Sequence, residues 1–68
     1  MIDKDTAPLD ALKIAFKREC ETYDIYKKAA ELVDAPGARE MFQFLAEEEE
    51  KHKRLIQQEM EKEIYKEM

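Results

Sequence analysis

Cysteine, glycine, proline and tryptophan are all scarce: the 68 residues include 1 Cys, 1 Gly, 2 Pro and no Trp. With Cys20 alone, an intramolecular disulfide and a Cys-rich zinc site are excluded. So few chain breakers do not make a many-turned β-fold or a flexible linker. Long apolar runs are missing too. No stretch approaches the roughly 18 residues of a membrane helix, and the opening MIDKDTAPL has no apolar segment of a secretory signal. A cytoplasmic protein without a membrane partner is the expectation, and one unpaired thiol agrees with a reducing compartment.

What is abundant is charge, 43% of the residues, with a net charge of -5. That sign opposes nucleic acid and anionic lipid and attracts cations. A chain this short buries too small a core to be stable without help. Without disulfides, the help must come from a metal held by oxygen and nitrogen ligands, from self-association, or from both.

The composition predicts an all-α chain forming a single domain over residues 1–68. Its one clear interruption is Asp34-Ala35-Pro36-Gly37. The first helix is expected over about residues 6–33, capped by Asp5 or Thr6 with Pro8 in its first turn. After a turn at 34–37, the second helix is expected over about 36–66. The connection is so short that the helices must fold back as an antiparallel hairpin.

In the first helix Leu9, Leu12, Phe16, Tyr23, Tyr26, Ala30 and Val33 alternate at spacings of three and four, and the one gap is filled by Glu19. In the second, Phe42, Leu45, Glu49, His52 and Ile56 make the same alternation, which places Glu49 and His52 inside. Glu47, Glu50, Lys51 and Lys53, with Lys17, Arg18, Lys27 and Lys28, fall on a solvated face, and Glu48 sits at the rim. A second apolar line on each helix, Ile14, Ile25 and Leu32 with Met41, Phe44 and Leu55, is wider than one partner helix can cover. Pairing of two hairpins into a four-helix bundle would cover it. Met41, Met60 and Met68 are read as core or end packing.

A buried ionised carboxylate is unfavourable by several kcal/mol unless it is paired, protonated or bound to a cation. With the turn centred near residue 35, Glu19 lies level with Glu49 and His52, and a two-fold partner would bring a second set to the same level. Four Glu and two His are the ligands that di-iron and di-manganese bundle proteins use. The spacing Glu49-x-x-His52 is weak by itself, because 12 of the 68 residues are Glu and chance gives it about one time in six. The conjunction carries the weight: three ionisable groups in apolar positions, at one height, in a chain lacking a core. Metal ligation and a buried ion-pair cluster both satisfy it.

These residues carry a resemblance. Ala15-x-x-x-Glu19 with Tyr26 seven residues on, then Phe44-Leu45-Ala46-x-x-Glu49-x-x-His52, resembles the first half of a rubrerythrin-type ferritin-like domain. It is similar still more closely to the two-helix encapsulated ferritins, in which a second subunit completes the bundle. The resemblance covers roughly residues 9 to 58. It implies that Glu19, Glu49 and His52 are the iron ligands and catalytic residues, with Glu49 bridging two metals and Glu19 and His52 terminal. Tyr26 matches an aromatic position near the site.

The function it implies is oxidation of ferrous iron by O₂ or peroxide, for storage or detoxification, or a rubrerythrin-like reduction of peroxide. Two iron ions per dimer are expected, and manganese also suits the ligands. The implied partners are a homodimer or a larger assembly of dimers, and an encapsulating protein shell of the encapsulin type. No Cys-x-x-Cys pair is present, so the rubredoxin-like electron-transfer domain is not expected, nor is a capsid-targeting tail after Ile64-Tyr65-Lys66-Glu67-Met68. The competing classes are a metal-free helical dimerisation module and a fragment of a longer ferritin-like protein.

Overall fold

The computed structural model describes residues 2–66 and consists of two antiparallel helices, α1 (Pro8–Leu32) and α2 (Pro36–Lys66), packed as a hairpin. The two helix starts have one cause. A residue before proline is pushed out of the α region, so Ala7 is extended (φ -63, ψ 145) and α1 starts only at Pro8. Neither Asp5 nor Thr6 caps the helix, contrary to the expectation from sequence. The Thr6 hydroxyl is already engaged in the preceding turn, accepting from the Asp3 amide at 3.0 Å and donating to Asp3 Oδ1 at 3.2 Å. At the other break, Ala35 precedes Pro36, and α2 begins there.

The last α1 hydrogen bond runs from the Val33 amide to the Ala29 carbonyl at 3.0 Å, after which Val33 turns extended (φ -78, ψ 139). The Val33 carbonyl then accepts from Arg39 Nη2 at 3.0 Å, so a side chain of α2 closes the end of α1. Gly37 has no positive φ; it is an ordinary first-turn residue of α2.

Along α1, every residue from Leu9 to Val33 in the expected alternation, Glu19 included, is half-buried or buried. On α2 the alternation differs from the expected one. The inward line is Phe42, Ala46, Glu49, Lys53, Ile56, Met60 and Glu63. Ala46 and Lys53 therefore take the places expected for Leu45 and His52. Leu45 is half-buried beside the line, and His52 is exposed. The buried core is the two small side chains Ala30 and Ala46, one from each helix. Lys53 fits the seam because its aliphatic stem packs while the ammonium stays polar. Met60 is half-buried, Met41 is exposed, and Met68 lies outside the described residues.

The second apolar line is left open. Ile14, Ile25, Leu32, Met41, Phe44 and Leu55 are between 42% and 70% exposed. In antiparallel helices, residues displaced from the seam in the same angular sense open onto the same side. Ile25, Leu32, Met41 and Leu55, each just before a seam residue, therefore share one face with His52 at its inner edge, while Ile14 and Phe44 lie opposite the seam. The accessible surface is 5486 Å² for 8.1 kDa, whereas a compact monomer of that mass exposes about 4,500 Å². The excess of about 1,000 Å² is close to one partner's share of a standard protein interface.

Candidate metal centre

Glu19 comes from the middle of α1, and Glu49 and His52 from successive turns of one side of α2. Antiparallel pairing brings the three to one height, as the sequence implies. One ligand atom from each lies within 4.8 Å of the others. His52 Nδ1 is 3.6 Å from Glu19 Oε2 and 3.7 Å from Glu49 Oε1, ion-pair separations too long for hydrogen bonds. The Glu49 side chain is the most enclosed, at 16% exposed, and Glu19 follows at 25%. His52 is 49% exposed, which corrects its expected inward position: it stands at the mouth of the site, on the open apolar side.

The electrostatic state of the pair is the informative feature. Glu19 Oε2 and Glu49 Oε2 are both shielded from solvent and neither has a hydrogen-bond partner. Leaving a buried carboxylate oxygen without a donor is unfavourable by about 1–3 kcal/mol or more. Two such oxygens beside an imidazole fit a cation. First-row divalent ions bind oxygen and nitrogen at about 2.0–2.2 Å, so ligand atoms on opposite sides stand roughly 4.4 Å apart. The observed cluster needs to contract by only a few tenths of an ångström. Hard oxygen donors with one imidazole suit iron or manganese, and three ligands leave coordination positions free.

A family model described as Rubrerythrin matches residues 10–68, a span that contains α2, all of α1 but its first two residues, and all three ligand candidates. The chain belongs to the rubrerythrin family. Comparisons with curated proteins and with solved structures found no match. Rubrerythrins are di-iron carboxylate proteins, so the family's metal agrees with the donor set. Among the described residues of this rubrerythrin-family chain, no helix is long and apolar enough to cross a membrane.

The other residues singled out from sequence have definite places. The Tyr26 ring packs against Phe42, with centroids 6.2 Å apart and planes at 31°, two helical turns from Glu19 toward the turn end. Glu48, at the rim, pairs with Lys51 at 3.2 Å. Cys20 is half-buried and free, about 100° around α1 from Glu19.

What sequence reasoning missed lies on the other side of the acids. Lys53 Nζ sits 4.8 Å above the Tyr23 ring and 3.5 Å from Glu50 Oε2. The signal was there: Ala46, Glu49, Lys53 and Ile56 also alternate at three and four. A lysine in an apolar line reads as a surface residue unless its stem is credited.

Proposed function

We propose that the chain is half of a di-iron carboxylate centre: two copies pair through the open apolar face, and the joined sites bind ferrous iron as substrate and oxidise it. The observation that carries this reading is the pair of shielded, partnerless carboxylate oxygens of Glu19 and Glu49 facing the His52 imidazole. Two considerations support the pairing. The ligands of one chain are too few for two ions, and His52 opens onto the same side as the exposed Ile25, Leu32, Met41 and Leu55. Each large apolar side chain buried in a partner contributes about 1.5–3 kcal/mol.

Bound iron would supply the redox chemistry: each ferrous ion gives one electron, and two electrons with two protons take O₂ to hydrogen peroxide or peroxide to water. The chain's own residues do the rest. Glu49, the most enclosed, would serve as the shared ligand, and Glu19 and His52 would be terminal ligands. Four carboxylates from two copies balance two divalent charges. The seam side chains on either side of the acids shield the two carboxylates and fix their positions. Membership of the rubrerythrin family favours peroxide as an acceptor at the same site.

The test is anaerobic loading with Fe²⁺ followed by exposure to O₂ or hydrogen peroxide, read by near-ultraviolet absorption. Wild type is expected to develop a ferric band that Glu49→Ala and His52→Ala lose. An equal response in all three proteins overturns the assignment.

A further inference from the structure

The site has a second wall that metal ligation does not require. Lys53 is four residues after Glu49 on α2, and Tyr23 is four residues after Glu19 on α1. Because the helices are antiparallel, these positions step away from the acid layer in opposite directions, about 6 Å each at 1.5 Å per residue. Yet the Lys53 ammonium lies 4.8 Å from the centre of the Tyr23 ring. Helical side chains lean toward the N-terminus of their own helix. Lys53 and Tyr23 therefore both lean back to the acid layer, and they meet there.

The side on which they meet is also fixed. Glu50, which holds the ammonium at 3.5 Å, is displaced from the seam in the sense opposite to His52. It lines, with Tyr23, a groove of about 430 Å³ on the face of the hairpin away from the apolar side chains. Glu19 and Glu49 thus have the imidazole on one side and a cation–aromatic stack on the other. The Lys53 side chain is only 20% exposed.

We propose that Lys53, seated on Tyr23 behind Glu19 and Glu49, is a built-in counter-charge that holds the empty carboxylate pair together and sets how weakly the site retains a bound cation. Lys53 is a positioning residue, since its ion pair is with Glu50 and it acts on the acids through space. Metal-free, the ammonium offsets repulsion between two partly buried carboxylates. With an ion bound, the same charge opposes it, and opposes a trivalent product more than a divalent substrate. A site that loads ferrous iron and must discharge ferric iron gains from that difference. The second half of this inference rests on the metal-centre reading; the first does not.

The test compares wild type, Lys53→Met, which keeps an apolar stem of similar length, and Lys53→Arg, which keeps the charge. In excess chelator, Lys53→Met is expected to lower the melting temperature by several degrees. In a Glu19→Gln/Glu49→Gln background that loss is expected to fall by half or more. In calorimetric titration with Mn²⁺, Lys53→Met is expected to bind at least about tenfold more tightly, a lower bound on the effect of removing a unit charge near a divalent ion when Glu50 offsets part of that charge. Lys53→Arg should track wild type in both. A merely structural lysine predicts weaker Mn²⁺ binding and the same thermal loss in both backgrounds; either result overturns the proposal. Wild type that binds no Mn²⁺ but keeps the chelator-state coupling refutes the metal centre and leaves the counter-charge standing.

Discussion

His52 Nδ1 on α2 stands 3.6 Å from Glu19 Oε2 on α1, so the candidate centre is also a tie between the two helices of the hairpin. Any ion held by both residues joins them only in the folded state, and binding is then coupled to stability. At a free metal concentration one hundred times the dissociation constant, one site contributes about 2.7 kcal/mol. Fe²⁺ without oxygen, or Mn²⁺, should raise the melting temperature of wild type by roughly 10 °C or more. Glu49→Ala should show almost none of this rise, and scanning calorimetry with and without chelator measures both.

Glu49 is a poor residue for the fold and a good one for the site. Replacing it with Leu removes a shielded oxygen that lacks a partner and fills the seam with an apolar side chain. Glu49→Leu should therefore stabilise the metal-free protein by about 1–3 kcal/mol while abolishing metal binding. Urea denaturation in chelator checks the first half and metal titration the second.

Met41 and Leu55 lie on the open face, 56% and 60% exposed. Putting a charge there leaves the hairpin seam intact but would bury an unpaired ion in a pair of hairpins, unfavourable by several kcal/mol. Met41→Glu or Leu55→Lys should shift the solution mass toward a single chain. Metal affinity should fall with it, although neither residue is a ligand. Sedimentation equilibrium alongside metal titration reads both effects.

Gly37 has helical geometry without needing a glycine, and a methyl group added there meets nothing within 4 Å. Gly37→Ala should stabilise the protein by about 0.5–1 kcal/mol through lower unfolded-state entropy and better helix propensity. Metal affinity should not change. Thermal denaturation of the two proteins settles it.

Sequence made the hairpin and the inward line of α1 legible because its alternation has no competing register. On α2 two registers were available, through Leu45 and His52 or through Ala46 and Lys53. Hydrophobicity alone favours the first. The structure instead buries Ala30 and Ala46, and in that register Lys53 is turned in and His52 lies at the edge. The α1 cap was misread because Pro8 constrains Ala7 more strongly than Thr6 attracts an amide. Glu19, Glu49 and His52 were found together because antiparallel pairing sets their height whichever register wins.

The most direct test of the central claim is an anomalous-scattering map of crystals grown with Fe²⁺ under anaerobic conditions. Two iron peaks about 3.5–4 Å apart are expected between the Glu19, Glu49 and His52 side chains of two chains. Iron peaks elsewhere on the surface, or an iron-free cluster in crystals of iron-loaded protein, would contradict it.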